Sequence, residues 1–413
     1  LVQFYLRIDG GQLLDKEGKK GTASLVANLM NEGTKTKTPA ELEEAVDLLG
    51  SSISISAGLE SISISGNSLS RNLEKTLNLV NEILTEPRWD NEAFEIAKTR
   101  RLASIQQVKG NPQSLAFNAL NKRLYGDNHP SATPLGGTAA SVESITMSDL
   151  KNYFNANISP QVAHFHIVGD INEKEAMDVL SNFNKKWNGD SVEIPTIAMV
   201  DAPSKPVVYF IDIPDAKQSA ITVGTLTIPG TDPLLYPLDV TNNRLGGGME
   251  ARLMRTLRLE KGYTYGAGSF LRPNKFQTPF YAYSQVRTNV TLESLEIFRD
   301  LITNYASTYF QDDLDVTRNK LIKSNALRFE TLGSLINMLD KISKYNLPVN
   351  YIANQQDVLT GMTVEDVQQL ANDYLNGENM IYVVAGDAKT QLELIKNLGF
   401  GEPVLLDRDG NNL

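Results

Sequence analysis

No cysteine occurs anywhere in the 413 residues. That absence excludes disulfides, thiolate metal sites and cysteine nucleophiles together. Histidine is scarce as well: only His129, His164 and His166 are present, so any imidazole-based site must draw on these three. No apolar run approaches the roughly 20 residues needed to cross a bilayer, which leaves no membrane span. Excess positive charge is missing too. Lys and Arg number 39 against 49 Asp and Glu, a formal net charge of −10, which argues against a nucleic-acid partner. The chain opens at Leu1 already inside a strand-like LVQFYLRIDGG, so a leader or a whole preceding segment would not be visible and the N-terminus does not fix the compartment. A chain without cysteine suits a periplasmic or otherwise extracytoplasmic bacterial setting, with a cytosolic one left open.

What is present is an ordinary globular composition, 41% apolar and 21% charged, over a length that exceeds one core and calls for two or more domains. The chain repeats itself. TMSDLKNYFNANISPQVAHFHIVGD at 146–170 and TVEDVQQLANDYLNGENMIYVVAGD at 363–387 align without a gap. Thr146, Asp149, Gly169 and Asp170 match Thr363, Asp366, Gly386 and Asp387. Each copy predicts a Thr-capped amphipathic helix, a turn, an apolar strand and Gly-Asp. Upstream, SSISIS and SISIS alternate with period two as a hairpin, and YTYGAGSFL with FYAYSQV forms its counterpart. A pair of long helices follows each hairpin, near 69–85 and 91–109, then near 291–308 and 313–331. The expected fold is α+β: two homologous domains, 1–194 and 207–413, each an antiparallel-rich sheet packed on helices, joined by the proline-bearing linker 195–206.

Few residues offer chemistry. His164 and His166 lie two apart in a strand and could face one metal, but the second copy has Ile381 and Val383 there, which reads as strand packing. His129 sits in a Gly-Asp-Asn-His-Pro turn. The three glycines of LGGGMEARL lack any phosphate-loop spacing and read as a tight turn between helices. GTASLVANLMNEGT at 21–34 has helical spacing, with Leu25, Leu29 and Met30 on an apolar face and Ser24, Ala27 and Asn28 on the other. The two readings of RLMRTLRLEKGYTYGAGSF stand side by side. In one, Arg258 is a helix C-cap cation beside two strand tyrosines, Tyr263 and Tyr265, on a common face. In the other, Arg258 and Tyr265 offer donors to a carbonyl or oxyanion of a bound peptide.

The stretch 245–265 fits L-G-G-G-x-x-x-R-L-x-x-x-L-R-x-x-x-G-x-x-Y throughout, and with the repeated strand-Gly-Asp segments the chain resembles the pitrilysin/insulinase-type metallopeptidases, the inverzincin group. The resemblance covers essentially the whole length. It implies that the two domains form half of a clam-shell peptidase chamber. Active relatives carry H-x-x-E-H within G-x-A-H-x-x-E-H-x-x-x-x-G-T. On that frame the histidine positions are Ser24 and Asn28, the general-base position is Ala27, the distant zinc glutamate falls on Ser104 and its supporting glutamate on Ala97. Serine and asparagine are poor zinc ligands, and alanine cannot take a proton from water. The resemblance thus implies a chain that holds no zinc and is not a peptidase alone.

The family's arginine–tyrosine pair is kept as Arg258 and Tyr265, with Gly262 between. This implies a dimer with a catalytic pitrilysin-type subunit, or N-terminal half, that bears H-x-x-E-H and supplies the zinc. Peptides would be the substrate. Two other readings stay open: a peptide-binding or scaffold protein of the same fold without peptidase activity, and a peptidase with replacement ligands from His164, His166 and a carboxylate.

Overall fold

Thr146 and Thr363, aligned by the repeat, each cap a helix in the same way. The Thr146 hydroxyl accepts from the Asp149 N–H at 3.3 Å, and the Asp149 carboxylate accepts from the Thr146 N–H at 2.8 Å. Thr363 and Asp366 reproduce this at 3.2 and 2.8 Å. Each box satisfies two N–H groups that a helix start leaves unpaired. The strands after them end at Gly169 and Gly386.

The computed structural model describes residues 1–413, apart from the side chain of residue 326. The strands are β1 (Val2–Asp9), β2 (Ser52–Ala57), β3 (Ser61–Ser68), β4 (Ala163–Gly169), β5 (Val207–Asp212), β6 (Gln218–Leu226), β7 (Thr264–Leu271), β8 (Pro279–Arg287), β9 (Ile381–Gly386) and β10 (Val404–Leu406). The helices that bear on the site are α1 (Thr22–Met30), α2 (Asn91–Lys109), α3 (Pro112–Tyr125), α4 (Leu235–Gly246) and α5 (Leu332–Lys344). The chain forms two compact units, Leu1–Gln106 with Thr133–Thr196 and Ala326–Lys344, and Gln107–Ala132 with Ile197–Asn325 and Tyr345–Leu413. The change-over at 196–197 falls inside the proline-bearing stretch, and each unit also takes one segment from the other half of the sequence.

In the first unit the sheet order is β2-β3-β1-β4, antiparallel throughout. Period-two alternation sends Val2, Phe4, Leu6 and Ile8 into the core with Ile62 and Ile64. Leu25, Val26, Leu29 and Met30 of α1 join them, each fully buried, at about 2 kcal/mol of transfer free energy per large side chain. The opposite face of the sheet is polar: Arg7 lies beside Ser63 and His164 by register. Helix α5, from the second half of the sequence, covers it through polar contacts. Arg7 is 1% exposed; its guanidinium donates to Asp9 at 2.8 Å, to Asp340, and to Ser343 Oγ at 3.3 Å.

The second unit holds a six-stranded mixed sheet, β10-β5-β9-β6-β8-β7, parallel among its first three strands and antiparallel beyond. Phe210, Ile221, Val223, Phe280 and Ala282 face a core completed by Leu253, Leu257, Leu295 and Phe298. The other face receives α3, from the first half of the sequence. Gln113 Nε2 donates to Thr222 Oγ1 at 3.0 Å. Leu120 lies so close to Gly224 that an added Cβ there would sit 3.0 Å from its Cδ2 and 2.6 Å from the Phe280 carbonyl. Only glycine fits that approach.

Candidate functional site

Helix α1 starts at Gly21, whose φ of 107° is open to glycine but strained for other residues. A carboxylate from outside the helix caps it: Asp15 accepts from the Gly21 and Ala23 N–H groups at 2.7 and 2.8 Å. Desolvation nonetheless outweighs these bonds and pushes the Asp15 carboxyl up to about 6. Beyond the cap, Ser24 is half-buried and Asn28 exposed, while Ala27, at 2%, belongs to the apolar core together with Ala97 of α2. Ser104 is half-buried farther along α2. These five positions supply no imidazole and no carboxylate, so they do not fit a zinc ion. Among the described residues no group of three His, Asp or Glu side chains could hold a metal elsewhere.

His164 and His166 lie on β4 as strand residues. Each ring faces a carboxylate, with His164 Nε2 3.7 Å from Asp9 and His166 Nε2 3.6 Å from Asp340. Arg7 already sits between those carboxylates, and a guanidinium there opposes a dication. His129 stacks on Tyr125 at 4.5 Å, and burial holds its imidazole below the usual range.

Arg258 and Tyr265 are presented by two backbone irregularities. A single α-turn, Arg252–Met254, widens into a π-helical stretch, Arg255–Glu260, rather than the plain α-helix that the sequence predicts. The Lys261 N–H reaches back to the Thr256 carbonyl at 3.0 Å. Gly262, at φ 63°, then stops the helix, with the Gly262 N–H on the Arg258 carbonyl and the Tyr263 N–H on the Leu257 carbonyl. Leu253 and Leu257 are fully buried and anchor the wide turn, which leaves Arg258 and Leu259 on its open side. Such π-bulges are frequent at functional sites.

Strand β7 breaks register with β8 between Thr264 and Ala267. The Gly266 N–H donates to Thr264 Oγ1 at 3.0 Å, and that hydroxyl donates to the Gln285 carbonyl at 2.7 Å. The bulge turns Tyr265 outward until it is 88% exposed, whereas Tyr263 is half-buried.

Arg258 Nη1 lies 3.7 Å from the Met249 sulfur. Its neighbours are engaged otherwise: Arg252 pairs with Asp313 at 2.8 Å and lies over the Tyr305 ring, and Arg255 pairs with Glu260 at 2.9 Å. Among the described residues, Arg258 has no carboxylate partner and Tyr265 no hydrogen-bond partner. Two exposed donor groups, neither taken up by a carboxylate or carbonyl, therefore lie on one unit. Met249 escapes a reading of the sequence, since one methionine in a glycine-rich turn gives no signal of its own.

Two family descriptions match this chain. Residues 2–138 match the insulinase family, peptidase family M16, and residues 144–321 match the peptidase M16 inactive domain. The chain belongs to the M16 peptidase family. It is 24% identical over 390 residues to the non-peptidase homolog YmxG of Helicobacter pylori, which spans 93% of this chain and 89% of that protein. Among solved structures, the peptidase M16 inactive domain from Pseudomonas fluorescens superposes with a TM-score of 0.87 at 27% identity, over 94% of this chain and 93% of that one. A protease from Helicobacter pylori gives 0.83 at 16% identity, over 93% of both chains. These structures share the fold of two sheets packed on helices. In this M16 chain Ser24, Ala27, Asn28, Ala97 and Ser104 lie within 2–138, and Arg258 and Tyr265 lie within the segment matched by the inactive domain.

Proposed function

We propose that this M16 chain is the non-catalytic, substrate-binding subunit or half of a two-part zinc metalloendopeptidase that degrades or processes peptides. A partner bearing H-x-x-E-H would supply the zinc and the general base. This chain supplies Arg258 and Tyr265, whose N–H and O–H donors take a carbonyl of the extended peptide and gain strength as negative charge develops on it. The observation that supports the reading is the presentation of both residues without a carboxylate or carbonyl partner, Arg258 meeting only the Met249 sulfur, on a π-turn anchored by the buried Leu257 and on a β-bulge, with both side chains exposed. A chain acting only as a scaffold has no use for such donors.

The test is zinc analysis and cleavage of a quenched fluorescent peptide, first with the chain alone and then with the protein that co-purifies from its native source. Neither zinc nor cleavage is expected alone, and both are expected in the complex. Stoichiometric zinc with cleavage by the isolated chain would overturn the reading. A complex without any H-x-x-E-H protein and without cleavage would favour the scaffold instead.

A further inference from the structure

With no cysteine in the chain, oxidants must act on other side chains, and methionine is the most readily and reversibly oxidised of them. Met30 and Met380 are fully buried and Met362 is 6% exposed. Met177, Met199 and Met249 are 62%, 58% and 53% exposed. Of these three, Met249 alone touches the donor pair: its sulfur lies 3.7 Å from Arg258 Nη1. A thioether is a weak acceptor and leaves that guanidinium available. A sulfoxide oxygen is a strong one, carried on the same flexible side chain and able to reach the same N–H groups.

We infer that Met249 is a reversible oxidation site that switches off peptide binding by capturing Arg258. The inference rests on the peptide-binding reading of Arg258 above. The reaction needs a hydroperoxide. One peroxide oxygen is transferred to sulfur, an S–O bond forms as the O–O bond breaks, sulfur loses two electrons, and the rest of the peroxide leaves as water or an alcohol. The new oxygen accepts from the Arg258 Nη groups, and a peptide carbonyl must then compete for donors it previously had to itself. The three rotatable bonds of the Met249 side chain bring the sulfoxide over the guanidinium with no change of backbone, and the preceding Gly248, at φ 143°, sets the turn that presents it.

The experiment treats the full chain with hydrogen peroxide and maps oxidation by mass spectrometry. Binding of a fluorescein-labelled unstructured peptide is then measured by anisotropy. Met249 is expected to oxidise well ahead of Met30, Met362 and Met380, peptide affinity to fall roughly tenfold, and methionine sulfoxide reductases to restore it. In Met249→Leu the affinities before and after peroxide should agree, whatever the starting value. If wild-type affinity survives Met249 oxidation while Arg258→Ala weakens binding, the switch is wrong and the reading of Arg258 stands. The switch is equally wrong if Met249→Leu still loses affinity on treatment. Should Arg258→Ala bind as tightly as wild type, or the untreated chain bind no peptide, the reading of Arg258 falls and the switch with it.

Discussion

Arg7 on the first strand and Asp340 on helix α5 form an ion pair across 333 residues of sequence, inside a single unit. Asp9 completes the arrangement at 2.8 Å from the same guanidinium, and Lys344 pairs with Glu60 at 2.6 Å one turn beyond. Helix α5 is thus attached to the polar side of the sheet largely by charge and hydrogen bonding, with Ile336 its one deeply buried residue.

Removing Arg7 should therefore be costly. Arg7→Leu leaves two carboxylates near each other in a half-buried site without their cation. A destabilisation of about 3–5 kcal/mol is expected, the range for breaking a buried pair from one side. Urea unfolding measures it. A cost below about 1 kcal/mol would mean that α5 is held by something other than this network.

The donor pair should behave in the opposite way. Arg258→Ala and Tyr265→Phe change exposed side chains, the first resting only on the Met249 sulfur and the second making no hydrogen bond, so stability should move by no more than about 0.5 kcal/mol. On the proposed function, turnover by a complex with a catalytic partner should fall roughly 10- to 100-fold for Arg258→Ala. Leu257→Ala removes a fully buried anchor of the π-turn and should cost about 2–5 kcal/mol. Equal thermal shifts in Arg258→Ala and Leu257→Ala would contradict this division between presenting and presented residues.

Zinc should leave the isolated chain unmoved. A ligand that binds the folded state at a hundred times its Kd adds about 2.7 kcal/mol of stability, which thermal unfolding detects easily. Ser24, Ala27, Asn28, Ala97 and Ser104 give zinc nothing to hold, so unfolding temperatures with added zinc and with chelator should coincide. A rise in Tm on adding zinc would locate a metal site that the frame does not contain.

How far these features are legible in the sequence differs by element. The capping boxes at Thr146 and Thr363 and the alternating isoleucines of β2 and β3 are local, and local chemistry is enough to fix them. The destinations of α3 and α5 are not legible, because helical periodicity says which face is apolar but not which sheet receives it. Arg7 reads as one charge in a strand until Asp340 arrives from the far end of the chain. The π-turn at 255–260 also escapes notice, since one extra residue in a helix barely disturbs an apolar pattern held by Leu253 and Leu257. Arg258 and Tyr265 are legible as residues, through family resemblance, and the two bulges that expose them are not.

The buried cap of α1 gives a pH dependence whose direction is unusual for an aspartate. The Asp15 carboxyl titrates near 6 in the folded chain against an ordinary value of 3.8, because burial penalises its charge more than the Gly21 and Ala23 N–H groups reward it. Between those two values the folded state holds the proton more tightly than the unfolded state. Stability from this group is therefore full below the unfolded value and is lost as pH rises through the folded one. Asp15→Asn keeps an acceptor for the helix N-terminus and cannot ionise. The stability of the wild type relative to this variant should thus fall on going from about pH 4 to about pH 7, by up to roughly 3 kcal/mol. Paired urea titrations of the two proteins across that range cancel the other carboxylates. A difference that stays flat, or grows with pH, would mean that the helix N-terminus stabilises the carboxylate more than burial opposes it.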